Sequence, residues 1–540
     1  MRLMRSWVRG SVSEMGSDLD GVRRVIRMFG VVCALCAALT VAACGSSDED
    51  SSTSAGGATT AQGPSGTLRI GLEAAPLSLD PAKDGGGFPV MLESLTHVPL
   101  IYVNADGSFG PGLATKWRYV GSGNREFELT LRHDARFSDG TPVTADAVKG
   151  WLTYFAKARG PYANLISIES IAAVDRWTVR VKLTSSNPDL PQVFSQVRNW
   201  SFVSSPKAVA SPKVLGTKTF GAGPYMLDSA ETVTNEKYTF VPNPYFYDRS
   251  RIRFQKVTVQ IIADPSSMLS AIKTGQLDVA SGRPETADAA AAAGLEIEHL
   301  PAVWTSLWFM DRDGRVAKPL GDVRVRQALN YAVDRKAITT AILGRWGTPT
   351  SQIMQVGAYD PADADHYPYD PEKAKELLAE AGYARGFSLD VVANVAEKDD
   401  KYIQAAAKYL EAVGVTLKLT RAPTGPDYVE KVFSGKFPAT SLNNGVSVTI
   451  HSSYSNLFNK RASWNIFRHS DPELDRLAEE GARASDPAPY WQQMTDRITD
   501  QAWAVPLYAT DILFFASKNI GGFDWGIPQF MPDASVWYEK

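Results

Sequence analysis

The stretch Leu131-Arg132-His133-Asp134-Ala135-Arg136-Phe137-Ser138-Asp139-Gly140-Thr141-Pro142-Val143-Thr144-Ala145-Asp146 contains the clearest structural signals in the chain. The alternation from Glu126 to Arg132 places Phe127, Leu129 and Leu131 on one face and predicts a strand. Ser138 to Pro142 predicts a turn. Thr144 can cap a helix in which Val148, Trp151, Leu152 and Phe155 recur at helical spacing. The stretch therefore indicates a chain of mixed strand and helix.

The same signals recur on both sides of this stretch. Further strands are predicted at Thr67–Leu72, Trp177–Leu183, Tyr238–Val241, Val257–Ile262, Phe387–Val392 and Val415–Leu419. Helices are predicted after Asp322 and Asp334, from about Lys401 to Val413, and at the start signals Asp370-Pro371 and Asp471-Pro472. Alternation of strands and helices is typical of an α/β fold.

The N-terminal region predicts a secretory signal in residues 1–43. Arg23, Arg24 and Arg27 precede an apolar run from Met28 to Ala43, and small residues lie before Cys44. The run has 16 residues, fewer than the roughly 20 that an untilted membrane-spanning helix needs, so a transmembrane segment is the second choice. Because some 20 residues precede the signal, a start at Met15 or Val22 is an alternative.

Val41-Ala42-Ala43-Cys44 resembles the lipobox of bacterial lipoproteins, in which the cysteine is lipidated and becomes the N-terminus. The alternative is a soluble secreted protein cut near Ala43. The only cysteines are Cys33, Cys36 and Cys44, so a chain that starts at Cys44 has no second thiol for a disulfide. Residues 45–66 are mostly small and polar and predict a flexible tether.

Composition limits the classes of function. The 540 residues and 44% hydrophobic content predict a large globular protein of several domains or lobes. The net charge is −3, without basic clusters, which argues against nucleic-acid binding.

No catalytic or metal motif stands out in the sequence. It lacks a G-x-S-x-G elbow, an H-E-x-x-H pair and a Walker A loop, and its six histidines are dispersed. Gly221-Ala222-Gly223-Pro224-Tyr225 predicts a tight turn that enters a strand rather than a phosphate loop. Asp311-Arg312-Asp313-Gly314 begins like a calcium loop, but its sixth position is Val316 instead of glycine, so it is interpreted as a surface turn. We expect no enzyme activity, no cofactor and no metal site.

Six motifs in this order resemble the solute-binding lipoproteins of ABC importers, in the cluster of oligopeptide-, dipeptide- and nickel-binding proteins. They are Pro76–Pro81, Pro111–Trp117, Leu131–Asp146, Gly221–Tyr225, Val323–Arg335 and Tyr369–Tyr383. The resemblance extends from about Thr67 to the C-terminus.

The resemblance implies a periplasmic-binding-protein-like α/β fold of two lobes, of the Venus flytrap type, with an extra small domain inserted in lobe one. Lobe one would comprise residues 67–83, 202–300 and 504–540, the small domain 84–201, and lobe two 301–503. Two crossings, near Trp304–Phe309 and Val505–Tyr508, would form the hinge. A solute would be enclosed between the lobes.

The resemblance also implies candidate ligand contacts. Glu73 and Pro76 follow the first strand, Trp304 and Thr305 lie at the first crossing, and Asn443 and Asn444 lie at a strand end of lobe two. Trp464 and Trp525 are either walls of the ligand site or core residues.

One departure from the family pattern bears on the ligand. Peptide-binding relatives carry an acid near the position of Asn443–Val448, where it holds the α-amino group of the peptide, but this stretch has no charged residue. Without a carboxylate, a charge-assisted hydrogen bond to an ammonium group is lost. A neutral or differently charged solute is therefore credible.

The resulting hypothesis is a monomeric, lipid-anchored receptor on the outer face of the cell membrane, which hands a peptide or other small solute to an ABC permease and its ATPases. A secreted lipoprotein hydrolase is an alternative from another class. A solute sensor or scaffold that does not transport is a third possibility.

Overall fold

The computed structural model describes residues 64–84, 90–104, 107–158, 160–163, 165–353, 359–395, 400–445, 449–523 and 532–540. They belong to the second of two units in the chain, Ala61–Lys540. The predictions for the signal, for Cys44, for most of the tether and for Trp525 lie outside the described residues.

Strands occur along the whole described part of the chain. They are β1 Thr67–Leu72, β2 Ile101–Val103, β3 Phe109–Pro111, β4 Ala114–Tyr119, β5 Glu126–Leu131, β6 Ile168–Ala173, β7 Thr178–Leu183, β8 Tyr225–Leu227, β9 Lys237–Pro242, β10 Lys256–Ile261, β11 Val279–Gly282, β12 Glu296–Phe309, β13 Gly347–Pro349, β14 Phe387–Asn394, β15 Val415–Ala422, β16 Ala439–Gly445, β17 Ala504–Ala516, β18 Ile520–Gly521 and β19 Tyr538–Glu539.

Helices alternate with these strands, as the sequence predicts. They are α1 Val90–Thr96, α2 Ala145–Lys157, α3 Leu190–Val193, α4 Pro206–Ala210, α5 Pro265–Lys273, α6 Pro284–Ala292, α7 Val323–Tyr331, α8 Arg335–Leu343, α9 Pro371–Glu380, α10 Asp400–Glu411, α11 Gly425–Phe433, α12 Ile450–Ser453, α13 Pro472–Arg483 and α14 Ala488–Asp500.

Local signals predict these elements well, because short polar side chains satisfy the free N–H groups at helix starts. The Thr144 side chain accepts a hydrogen bond from the amide of Ala147 at the start of α2. The predicted caps Asp322, Asp334, Asp370 and Asp471 accept equivalent bonds at the starts of α7, α8, α9 and α13. The predicted helix starts are therefore confirmed.

A mixed sheet of eleven strands forms the centre of the fold. Its order is β15-β14-β16-β12-β17-β11-β1-β10-β9-β8, and β13 pairs with β17. β14 is parallel to both β15 and β16, and β1 is parallel to β10 and β11, whereas β12 and β17 are antiparallel to their neighbours. This arrangement confirms a mixed α/β fold.

Strands β12 and β17 connect the two halves of this sheet. The ladder between them runs from Glu296 opposite Ala516 to Trp308 opposite Ala504, with register shifts at Pro301/Val303 and Thr305/Ser306. On their outer edges, Leu513–Ala516 of β17 pair with β11 and Val303–Phe309 of β12 pair with β16. Two long strands are thus shared by both halves. The predicted crossing Trp304–Phe309 lies in the part of β12 that pairs with β16, and Val505–Tyr508 lies on β17 beside it. Their role as a hinge stays a prediction.

A separate four-stranded sheet, β4-β5-β7-β6, lies within the segment predicted as the small domain. Buried residues of this segment, such as Phe127 of β5 and Trp151 of α2, belong to the same hydrophobic cluster as Leu68 and Ile70 of β1. The core of this segment is therefore continuous with that of the β1 half. The domain boundaries given above stay a prediction.

The segment that resembles a calcium loop corrects one expectation. Residues 312–313 form a turn and Asp313 is exposed, as predicted, but Asp311 and Arg312 are buried, at 0% and 2% exposure. The Asp311 carboxylate accepts hydrogen bonds from the amides of Arg315, Val316 and Ala317. The carboxylate is therefore occupied by backbone donors, which a sequence motif does not reveal.

Candidate functional site

The crossing strands bring together two of the predicted ligand contacts. Thr305 of β12 lies opposite Asn443 of β16, and its Oγ1 donates a hydrogen bond of 2.9 Å to Oδ1 of Asn443. On the other side, Thr305 lies opposite Tyr508 of β17. Thr305 is nearly buried, whereas Asn443 and Asn444 are half-buried at the end of β16.

Trp304 occupies the interior of the β16 half. Its side chain is fully buried, and its ring lies 6.1 Å from that of Trp308 in a cluster that also contains Phe458 and Trp503. Among the described residues, its indole N–H has no hydrogen-bond partner. The packing of the ring explains why Trp304 is buried, and a contact between Trp304 and a ligand stays a prediction.

Glu73 and Pro76 follow β1, in the other half of the sheet. The Glu73 carboxylate forms a double hydrogen bond with the Arg283 guanidinium, at 2.7 and 2.6 Å. Its charge is therefore balanced within this half. Pro76 lines a small pocket together with Ser78, Thr219 and the acids Asp84 and Glu93.

Trp464 lies in the segment between α12 and α13. It packs against Tyr428 and Phe433, with ring centroids 6.5 and 5.7 Å away, at the edge of the cluster that contains Trp304. Trp525 and Cys44 lie outside the described residues.

A histidine and an aspartate at the crossing were not singled out in the sequence. His299 of β12 and Asp511 of β17 are joined by a 2.7 Å contact between Nδ1 and Oδ2. Burial raises the pKa of Asp511, and the charge and hydrogen bond of His299 oppose that shift. Because 212 positions separate the two residues, no local signal could have identified the pair.

Two further contacts join the small sheet segment to the β16 half, and the sequence did not indicate them either. Asn124 Nδ2 donates hydrogen bonds to the carbonyl oxygens of Ala482 and Ala484, at 3.1 and 2.8 Å. Thr449 Oγ1 donates to Asp189 Oδ2, and His451 Nδ1 lies 3.4 Å from the same oxygen.

The described ranges lack two features that would indicate other kinds of site. No group of three or more His, Cys, Asp and Glu side chains there has the geometry to hold a metal ion. In the same ranges, no helix combines the length and apolar character needed to cross a membrane.

The sequence matches a family of known proteins. Residues 108–465 match the family model described as bacterial extracellular solute-binding proteins, family 5 Middle. The matched region is well over half of the chain and contains the small sheet, β12 and β16.

Two named relatives are binding proteins. The chain is 27% identical over 437 residues to the periplasmic murein peptide-binding protein MppA of Escherichia coli K12, covering 74% of this chain and 79% of MppA. It is 25% identical over 442 residues to the glutathione-binding protein GsiB of Shigella boydii, covering 76% and 82%.

Solved structures show the same fold. The unliganded open form of MppA, a periplasmic murein tripeptide binding protein, aligns with a TM-score of 0.75 at 24% identity, covering 88% of this chain and 97% of that one. AgaA of A. tumefaciens R10, in complex with agropinic acid, aligns with a TM-score of 0.71 at 23% identity, covering 88% and 99%.

The family match, the shared strands and the two-lobe neighbours lead to one conclusion. The chain belongs to family 5 of the bacterial extracellular solute-binding proteins, which serve ABC importers.

Proposed function

We propose that this protein captures one small solute between its two lobes and delivers it to the permease and ATPases of an ABC importer. The observation that carries the proposal is the pair of long strands, β12 and β17, on which both halves of the main sheet are built. Two strands are a compact connection about which lobes can close, and closure removes a solute from water and strengthens its polar contacts.

The ligand that we propose is peptide-like or another small polar solute without a required free α-amino group. Relatives bind murein peptide and glutathione, and a structural neighbour holds agropinic acid. The end of β16, Asn443-Asn444-Gly445, and the following Val446-Ser447-Val448 carry no charge that would pair with an ammonium group.

The proposed contacts lie on both sides of the crossing strands. Glu73 and Pro76 would contact the solute from lobe one, and Thr305, Asn443 and Asn444 from lobe two. Trp304, Trp464 and Trp525 are weaker candidates, because the first two pack within a hydrophobic cluster or at its edge.

Native mass spectrometry of the purified protein tests the proposal directly. We expect a co-purified small molecule, released on unfolding. A thermal-shift library of peptides, their N-acetylated forms and polar metabolites should then give hits, because a ligand at 100 times its Kd stabilises the fold by about 2.7 kcal/mol. The absence of both a bound molecule and a library hit would contradict transport and favour the scaffold.

We further propose that Cys44 anchors the chain to the extracytoplasmic face of the cell membrane through lipid. Residues 45–66 would give the folded body a reach of about 26 Å, so that it stays near its permease. Cys44→Ala should move the protein from the membrane fraction to the medium, or leave an unprocessed precursor. Absence of acyl labelling on the unmutated protein would contradict the anchor.

The remaining alternatives have distinct outcomes. Turnover of peptide or ester substrates by the purified protein would favour the lipoprotein hydrolase over a receptor. The proposed monomer is checked by light scattering coupled to size-exclusion chromatography, with and without the solute.

A further inference from the structure

The segment that carries the small sheet touches the β16 half of the molecule at two separate points. One is the turn between β4 and β5, where Asn124 reaches the last carbonyl groups of α13. The other is Asp189, which accepts a hydrogen bond from Thr449 at the start of α12 and lies beside His451. We call Asn124 and Asp189, with their partners, the two-point attachment.

The side chains of Asn124 and Asp189 are directed to lobe two and not to their own segment. Asp189 precedes α3 but forms no side-chain cap to it. In the hydrogen bonds found between described residues, both side chains reach only residues beyond position 448. Contacts within the small segment therefore do not explain the orientation of the Asn124 and Asp189 side chains.

A short network makes the two points on the small segment one rigid unit. Asn187 connects them, since its amide donates to the Asn124 carbonyl oxygen and its Oδ1 accepts from the amide of Asp189. The Tyr119 hydroxyl adds a bond to the Asn187 carbonyl oxygen. Because the two contact points are connected, they resist both rotation of the small segment against lobe two and its separation from lobe two.

The partners of Asn124 and Asp189 on lobe two are also held in place by local contacts. Asn124 satisfies carbonyl groups at the C-terminal end of α13, where helical carbonyls lack partners within the helix. Thr449 caps α12, and the His451 ring stacks on Trp491 of α14 at 5.5 Å. Asp189 and Thr449 are nearly buried by the contact, at 6% and 5% exposure.

Beside the attachment, the boundary between the small segment and lobe two contains a groove. A groove of about 980 Å³ runs beside the attachment, lined by charged and polar residues of both sides, among them Arg125, Ser186, Tyr454, Asp475, Glu479 and Arg483. A polar, partly open boundary is typical of parts that move relative to one another, whereas a permanent interface is larger and more apolar.

We propose that the two-point attachment is a reversible clasp through which the small segment holds lobe two in the closed position, so that Asn124 and Asp189 set ligand affinity without touching the ligand. This inference rests on the proposed function. A bond made only in the closed state raises the fraction of binding-competent molecules and lowers the apparent Kd by the same factor.

The test measures the separation of the two parts in the ligand-free full chain. Spin labels on p-acetylphenylalanine at positions 174 and 429, exposed sites on the small segment and on α11, report the distance by double electron–electron resonance. In Asn124→Ala/Asp189→Ala, we expect the ratio of separated to attached molecules to rise about tenfold, as loss of hydrogen bonds of ordinary net strength predicts. Asp146→Ala, which removes an exposed carboxylate from α2 of the same segment, is the matched control.

The outcomes separate this inference from the proposed function. A distance distribution that is the same in the double variant and in the unmutated chain overturns the clasp, even if the protein binds a solute. If the library yields no solute, the proposed function fails while the distance measurement still decides the clasp. Where a solute is found, its Kd should rise in the double variant by the factor by which the attached fraction falls, and stay unchanged in the control.

Discussion

His97 is a histidine that the fold keeps neutral. It is 2% exposed, its Nδ1 lies 2.9 Å from Thr96 Oγ1 and its Nε2 lies 3.2 Å from Ser204 Oγ. The turn at Gly221 packs directly on its ring, since a Cβ there would lie 2.4 Å from the ring carbon Cδ2. Burial lowers the pKa of His97 to about 4.

This shift predicts a loss of stability in acid. Between pH 6.5 and 4, the unfolded chain binds a proton at His97 and the folded chain does not. The contribution of His97 to the free energy of unfolding is therefore complete above pH 6.5 and decreases as the pH is lowered. At pH 4.5 the expected loss in the free energy of unfolding is about 2–3 kcal/mol, from 1.36 kcal/mol for each pKa unit. Urea unfolding of the unmutated protein and of His97→Gln at pH 7.5 and 4.5 measures it.

The comparison with His97→Gln isolates the histidine. Burial raises the pKa of Glu93, which acts in the opposite direction, but both proteins carry Glu93 and its effect cancels in the difference. A difference in unfolding free energy that is equal at both pH values would contradict the prediction.

Asn443 offers a second test at the residue scale. Asn443→Asp keeps the shape of the side chain and an acceptor for Thr305 Oγ1, and adds a carboxylate at the end of β16. If the ligand lies there, peptides with a free amino group should gain about tenfold in affinity over their N-acetylated forms, because hydrogen bonds between charged groups are stronger. Calorimetric titration measures the ratio, and Asn443→Ala, without the new charge, is the control. An unchanged ratio would remove Asn443 from the ligand site.

Among the elements, α13 and α14 are joined by the residue that starts α13. Asp471 Oδ1 accepts a hydrogen bond of 2.8 Å from the amide of Leu474, and both its carboxylate oxygens accept from Arg497 of α14, at 2.6 and 2.7 Å. One side chain thus caps a helix and ties it to the next.

Replacing Asp471 separates the two roles. Asp471→Asn keeps the cap but loses the ion pair and should cost about 1 kcal/mol, whereas Asp471→Ala loses both and should cost about 2–3 kcal/mol. Asp370→Ala is the matched control, because Asp370 caps α9 through the amide of Lys373 and should cost about 1 kcal/mol. Denaturant unfolding gives the three values. Equal losses for Asp471→Asn and Asp471→Ala would contradict the cap, and equal losses for Asp471→Ala and Asp370→Ala would contradict the role of Arg497.

At the scale of the whole molecule, the shared strands predict how the protein unfolds. Each half of the main sheet depends on β12 and β17, so one half cannot unfold without removing hydrogen-bonding partners from the other. We expect one cooperative thermal transition, with the calorimetric enthalpy equal to the van't Hoff enthalpy. Two resolved transitions in scanning calorimetry would show that the halves unfold independently.

Trp304→Ala extends this prediction. Truncation of a fully buried tryptophan costs about 3–5 kcal/mol, and with shared strands it should lower the single transition as a whole. Trp464→Ala is the comparison, because Trp464 is only partly buried at the edge of the same cluster and should cost less.

The sequence alone determined the local elements and the family. Strand β5, the turn at Ser138–Pro142, the Thr144 cap and helix α2 follow from interactions between residues a few positions apart. Such interactions can be predicted from the sequence, because the residues involved are close together in it. The motifs that carry the resemblance have the same local character, and the family match confirmed it.

Only the tertiary structure decided which side chains meet. Glu73 pairs with Arg283 across 210 positions, Thr305 with Asn443 across 138, and Asp189 with Thr449 across 260. The same holds for Asp311, which a motif placed in a surface turn and the fold buried against backbone donors. Pairings of this length depend on how β12 and β17 bring distant segments together, because periodicity and capping act over a few residues and carry no information about contacts between elements.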